Sequence, residues 1–122
     1  MEAVAGIGGF FFAARDPAGL ARWYAQHLGI DEAPTEYGAR SWRQEAGTTV
    51  LAPMDAASSP LGSAGWTLNL RVRDLDAMVA QLREAGVEVA VDSEVYPNGR
   101  FADLADPEGN RLQLWEPAGD DA

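Results

Sequence analysis

The chain has 122 residues, of which 47% are hydrophobic, so we expect one domain with its own core rather than a disordered chain. Nine arginines, no lysine and nineteen acidic residues give a net charge of −10, which argues against nucleic-acid or anionic-membrane partners because both are bound through basic side chains. Cysteine is absent, so disulfides, a thiolate nucleophile and cysteine metal ligands are excluded. No targeting or membrane-spanning pattern is seen, and we expect a cytoplasmic protein.

The first half of the chain predicts a strand, a helix and two short strands. The apolar and aromatic run over 7–14 favours a strand. Asp16-Pro17 predicts the start of a helix, because Asp caps free N–H groups and Pro fits the first helical position. Gly29 is expected to end this helix in a left-handed conformation, and short strands are predicted at 39–44 and 48–52. Apolar spacing predicts that the buried stripe of the helix consists of Leu20, Trp23, Tyr24, His27 and Leu28.

The second half repeats this plan. After a connection over 53–65, the segment 66–72 alternates as a strand does. An Arg-Asp pair at 73–74, like the pair at 15–16, then introduces a helix that Gly86 ends. An internal repeat fixes the architecture, and here it predicts two similar strand–helix modules with any site in the groove between them. The strand's core face should carry Leu68, Leu70 and Val72, and its opposite face Thr67, Asn69 and Arg71.

Three further strands are predicted at 87–91, 101–105 and 111–116. The run at 106–110, Asp-Pro-Glu-Gly-Asn, predicts a tight turn between the last two, and we interpret its carboxylates as turn chemistry rather than a calcium loop. Pro97-Asn98-Gly99 is interpreted as a plain hairpin turn, and the lone His27 as a helix-end residue rather than a metal ligand. In the final strand, Leu112 and Leu114 should face the core, and Arg111, Gln113 and Trp115 the opposite side.

Three segments together resemble a known family. The runs 8–30, 68–87 and 98–117, which include Trp23-Tyr24, Leu28-Gly29 and the turn at 106–110, resemble the glyoxalase/bleomycin-resistance/dioxygenase proteins, the vicinal oxygen chelate superfamily. The resemblance implies an α+β fold in which two βαβββ modules form a curved mixed sheet around a ligand cup, with helices on the outer face. It implies a single domain over 1–122, with module one at about 6–52 and module two at about 66–117, and a homodimer.

Metal-dependent members of this family hold a divalent ion with residues on matching strands of the two modules. The resemblance places those positions at Gly9, Thr67 and Gln113. Glycine has no donor atom and a threonine hydroxyl is a poor ligand for a transition metal, so only the Gln113 amide could coordinate. We therefore expect no cofactor.

The remaining polar and aromatic residues of the predicted cup suit an apolar pocket with a few placed polar groups. We expect a small-molecule binding protein without the usual metal site, whose ligand is aromatic or cationic. The candidate ligand-binding residues are Phe11, Trp42, Thr67, Asn69, Arg71, Arg111, Gln113 and Trp115.

Two other functions remain open at this point. One is a metal-dependent lyase, isomerase or extradiol-type dioxygenase that binds a divalent metal through unforeseen residues. The other is a non-catalytic association subunit whose cup is packed shut. For Arg71 and Arg111, pairing with acidic neighbours is the alternative to ligand contact, and for the tryptophans the alternative is a dimer interface.

Overall fold

A computed structural model describes residues 1–57 and 59–122. Ser58, in the predicted connection, lies outside the described residues. Within these two ranges, no helix has the length and apolar character needed to cross a membrane. The elements in chain order are α1 (Pro17–Leu28), a 3₁₀ segment (Ser59–Ala64), β1 (Leu68–Arg71), α2 (Leu75–Glu84), β2 (Ala90–Val91), β3 (Gly99–Ala105), β4 (Arg111–Pro117) and a terminal 3₁₀ turn (Gly119–Asp121).

The second half forms a four-stranded mixed sheet in the order β1-β4-β3-β2. β1 runs parallel to β4, with Leu70 opposite Leu114, and the other pairs are antiparallel. The α+β class and the βαβββ arrangement of module two are confirmed. The predicted strand over 87–91 is shorter, since only Ala90–Val91 pairs with β3.

The first module differs from the prediction in its strands. Helix α1 forms where it is predicted, but the segments 7–14, 39–44 and 48–52 are not paired as strands in the described part of this chain. A strand is stable only when a neighbour satisfies its backbone N–H and C=O groups. The residues of these segments do not by themselves supply that neighbour, and within the described residues the paired strands all belong to the second half.

Local signals set both helix starts. The Asp16 carboxylate accepts a hydrogen bond from the Gly19 N–H at 3.1 Å, and the Asp74 carboxylate does the same for the Ala77 N–H at 3.0 Å. These contacts satisfy N–H groups that the first helical turn leaves without partners. Gly29 ends α1 with φ of 71°, the left-handed stop that the sequence predicts.

The core lies between the helices and one face of the sheet. The most deeply buried side chains are Leu75 and Leu82 of α2 with Leu112 and Leu114 of β4. Leu20 and Tyr24 of α1 join the same cluster. The predicted core face of the last strand is therefore confirmed, and helix α1 packs within the core of the second module.

A polar contact, which we call the latch, fixes α1 to the turn between β3 and β4. The latch consists of the Tyr24 hydroxyl, the Asp106 and Glu108 carboxylates, and the backbone amides of Arg15 and Asp16. Tyr24 donates to buried Asp106 at 2.6 Å. The Glu108 carboxylate accepts from the Arg15 N–H at 2.6 Å and from the Asp16 N–H at 3.0 Å.

Asp106 also organises its own turn. Its carboxylate accepts the N–H groups of Glu108 at 2.9 Å and Asn110 at 3.0 Å, and the Asn110 side-chain amide at 2.7 Å. These bonds support the interpretation of the carboxylates as turn chemistry. Burial, with the hydrogen bond to Asp106, raises the pKa of Tyr24 well above its ordinary value, so the phenol stays protonated and keeps donating at physiological pH.

Replacing Tyr24 by Phe should destabilise the protein without disturbing the packing of the ring. The substitution removes the hydrogen bond that the hydroxyl donates to the buried Asp106 carboxylate. We therefore expect a loss of about 1–3 kcal/mol in the free energy of unfolding. Urea denaturation at fixed protein concentration measures it. Tyr37→Phe, at an exposed tyrosine, is the control, and equal midpoints for both variants would contradict a stabilising latch.

Candidate functional site

The candidate site is the face of the sheet opposite the helices. Along β3, Ala102 and Leu104 are buried against the core, whereas Phe101 and Asp103 point to the other side. That side borders a broad, open cleft of about 2230 Å³, whose lining also includes residues on the helix side of the sheet, such as Leu104 and Asp106. Of the predicted ligand-binding residues, the cleft is lined by Thr67, Asn69, Arg111, Gln113 and Trp115.

Two amide side chains are joined on the floor of the cleft. Asn69 of β1 lies directly opposite Gln113 of β4 in the parallel register, and its Nδ2 donates to the Gln113 Oε1 at 2.8 Å. The pair uses one donor and one acceptor, so the Gln113 amide N–H₂ and the Asn69 carbonyl keep hydrogen-bonding capacity. The pair offers a ligand a donor and an acceptor at a fixed spacing.

An aromatic wall stands beside this amide pair. The rings of Phe101 and Trp115 are stacked with an interplanar angle of 1° and centroids 6.1 Å apart, and Tyr96 meets Phe101 edge-on at 5.8 Å. Trp115 is only 3% exposed, and its indole N–H donates to the Asn98 carbonyl at 2.9 Å. Trp115 therefore lies beside Phe101 and is almost fully covered, while half-buried Phe101 presents its ring to the cleft.

Phe101 and Asp103 are cleft residues absent from the sequence-based candidates. The signal was available, because the turn at 106–110 sets the hairpin register that places Phe101 opposite Trp115 and Asp103 opposite Gln113. Residues opposite each other in a ladder share a face of the sheet. The last strand predicts that Trp115 and Gln113 face away from the core, so the residues opposite them in β3, Phe101 and Asp103, can be predicted to face the same way.

The loop between β2 and β3 is the predicted hairpin turn. Tyr96 and Gly99 exchange backbone N–H···O bonds, each of 3.0 Å, so Pro97 and Asn98 form a two-residue turn. The Tyr96 hydroxyl donates to the Asp92 carboxylate at 2.8 Å. This bond raises the pKa of Tyr96 to about 12, while the Glu94 N–H, followed by the Tyr96 hydroxyl, lowers the pKa of Asp92.

The two candidate arginines contact neighbouring chain segments. Arg71 donates to the Glu45 carbonyl at 2.8 Å and lies against Gly47; it does not line the cleft. Its role in this chain is to hold the segment around Glu45 beside β1. Arg111 lines the cleft rim, and its aliphatic stem lies close to Gly62 of the connection.

Two aromatic candidates from the first module lie away from the cleft. Phe11 is 95% exposed and Trp42 is 40% exposed, and neither lines the cleft in this chain. The two residues that flank Phe11 are placed differently, since Phe10 and Phe12 pack on the Trp66 ring at centroid distances of 4.9 and 5.5 Å.

The positions that the resemblance assigns to a metal do not fit a resident ion. Gly9 has no donor atom, and the Gln113 Oε1 already accepts from Asn69. His27 packs against the Trp23 ring at 5.3 Å, on helix α1. Across residues 1–57 and 59–122, no three His, Cys, Asp or Glu side chains are grouped so as to hold a metal. Freedom from metal stays a prediction.

Comparison with known families and curated proteins gives one match. The family profile described as a glyoxalase-like domain matches residues 9–115. No curated protein matches the chain significantly.

Solved structures give further similarities. The chain is 26% identical to TnmS3, an antibiotic-binding protein from Streptomyces sp. CB03234, over 97% of this chain and 100% of that one, with a TM-score of 0.68. It is 29% identical to a glyoxalase/bleomycin resistance protein from the same strain, over 83% of this chain and 91% of that one, with a TM-score of 0.55. A glyoxalase/bleomycin resistance/dioxygenase superfamily member from Sphaerobacter thermophilus DSM 20745 shares the fold at 21% identity, over 93% and 98% of the two chains, with a TM-score of 0.62.

Replacing Gly99 by Ala should disturb the wall of the cleft. Gly99 has φ of 135°, and an added Cβ would collide with the Glu116 carbonyl oxygen and lie 2.8 Å from the Trp115 Nε1. We expect a loss of about 2–4 kcal/mol in unfolding free energy and a change in the tryptophan emission. Gly6→Ala, where an added Cβ meets nothing within 4 Å, is the control. Indistinguishable unfolding midpoints for the two variants would show that the turn does not constrain Trp115.

Proposed function

The chain belongs to the glyoxalase-like domain family, and on that premise we propose that it binds a small molecule without a metal ion. The ligand lies in the cleft, against Phe101 and the Asn69–Gln113 pair. The observation that carries the proposal is this amide pair on the floor of an open cleft. The Gln113 Oε1 is the one suitable metal donor at the positions where the family binds a metal, and it accepts a hydrogen bond from Asn69 at 2.8 Å. An amide oxygen engaged in this way suits ligand recognition better than coordination of a divalent ion.

The lining of the cleft favours a planar aromatic ligand. The Phe101 ring supplies a stacking surface beside Trp115, and aromatic rings prefer offset stacking on one another. The amide pair then fixes the orientation of the bound molecule by one donated and one accepted hydrogen bond. TnmS3, described as an antibiotic-binding protein, supports sequestration as the activity. On this account the protein holds its ligand without making or breaking a bond.

We also propose a homodimer that forms through the first module. Large apolar side chains in its unpaired segments are exposed in the single chain, with Phe11 at 95% and Leu51 at 86%. Unpaired extended segments with exposed apolar residues are unfavourable in water, and pairing with another chain covers the apolar side chains and satisfies the backbone hydrogen bonds. A second copy offers the same segments in a self-complementary arrangement.

Binding should be measurable with two planar tricyclic probes, proflavine and anthraquinone-2-sulfonate. We expect at least one of them to bind the purified protein in isothermal titration calorimetry. Replacing Gln113 by Leu should weaken that binding roughly tenfold, since one hydrogen bond is lost. Gln81→Leu, an exposed position on α2, is the control. Failure of both probes to bind, or turnover that requires an added divalent ion, would contradict the proposal.

Light scattering after gel filtration should report the dimer. We expect a mass close to twice the 13.0 kDa of the chain. Leu51→Asp should shift the mass toward the monomer, because it places a charge in the apolar contact. Val95→Asp changes an exposed valine, 69% accessible, outside the first module and should leave the dimer intact. A monomeric mass for the unmodified protein would refute the dimer.

A further inference from the structure

A row of three polar residues crosses three neighbouring strands on the floor of the cleft. Asp103 of β3 lies opposite Gln113 of β4, which in turn lies opposite Asn69 of β1. Neighbouring strands are about 4.8 Å apart, so the row spans roughly the width of a small aromatic ring system. All three residues line the cleft.

The Asp103 carboxylate is exposed, and it belongs to none of the ion pairs found in residues 1–57 and 59–122. Those pairs join Arg15 to Glu108, Arg73 to Glu45 and Arg100 to Asp76. Elsewhere in the protein, carboxylates at structural positions accept several hydrogen bonds, as Asp106 does. Asp103 differs in presenting a charge to the cleft without a counter-ion from its own fold.

The other charged residues that line the cleft form no ion pair with Asp103 within the described residues. Arg83 donates to the Val89 carbonyl at 2.9 Å, and Asp106 is engaged in the latch. Arg111 lies against Gly62 at the rim, and Glu88 adds a second negative charge. Among the described residues, the lining carries three carboxylates (Glu88, Asp103, Asp106) against two arginines, and the whole chain has a net charge of −10, so the charge balance favours a cationic ligand over an anionic one.

We propose that Asp103 selects the ligand by charge, so that the cleft prefers planar aromatic cations with N–H donors. This inference rests on the proposed function and adds the ligand's chemical class. The carboxylate accepts from the ammonium or amino group, the Asn69 carbonyl offers a second acceptor along the row, and the Gln113 amide donates to an oxygen of the ligand. A charge-assisted hydrogen bond of this kind is about twice as strong as a neutral one.

Calorimetry with the same two probes tests the selection, because proflavine is a planar cation and anthraquinone-2-sulfonate a planar anion. We expect the unmodified protein to bind proflavine more tightly. Asp103→Asn should weaken proflavine binding roughly tenfold and leave anthraquinone-2-sulfonate binding unchanged or tighter. Glu84→Gln removes the same charge from an exposed residue of α2 that does not itself line the cleft, and should change neither affinity. Asp103 is exposed, so thermal unfolding of the Asn variant should match that of the unmodified protein.

The possible outcomes separate the two proposals. Equal affinity for both probes, a preference for the anion, or equal effects of Asp103→Asn and Glu84→Gln would overturn selection by Asp103 and leave small-molecule binding standing. If neither probe binds, both the small-molecule binding proposal and the selection by Asp103 are overturned.

Discussion

The buried carboxylate of Asp106 is the contact on which the arrangement depends. It closes the turn between β3 and β4 through backbone amides and simultaneously accepts the Tyr24 hydroxyl of α1. A buried charge is tolerated only when it is fully hydrogen-bonded, so the position of the helix and the geometry of the turn are fixed together. Glu108, two residues along, adds its bonds to the start of α1. One short turn thereby joins the helix of the first module to the sheet of the second.

The same turn determines the chemistry of the cleft. Once it sets the register of β3 on β4, Phe101 stands opposite Trp115 and Asp103 opposite Gln113. A slip of one residue would move these side chains to the core and expose Leu112 and Leu114. The hydrophobic core on one face and the polar row on the other are thus two results of a single register, and the core's stability keeps the polar row in place.

Much of the second module could be predicted from the sequence, because its signals are local. Asp74 caps its helix, and the alternation in β4 gives the facing of Leu114 and Gln113. The pairing of the first module's segments could not be predicted in the same way, because a strand depends on a neighbour and 39–44 and 48–52 find none within the described chain. The facing of Arg71 predicts a place in the cup, whereas its bond to the Glu45 carbonyl depends on where a distant segment passes. Phe101 and Asp103 required the register as well as the strand pattern.

The central claim is that a ligand lies on the row formed by Asn69, Gln113 and Asp103. It is tested most directly by nuclear magnetic resonance of ¹⁵N-labelled protein during a titration with proflavine. The account predicts that the side-chain amide signals of Asn69 and Gln113 and the backbone signal of Phe101 shift together and saturate, while the backbone signals of residues 75–81 in α2 stay in place. Saturable shifts confined to residues outside the cleft would contradict it.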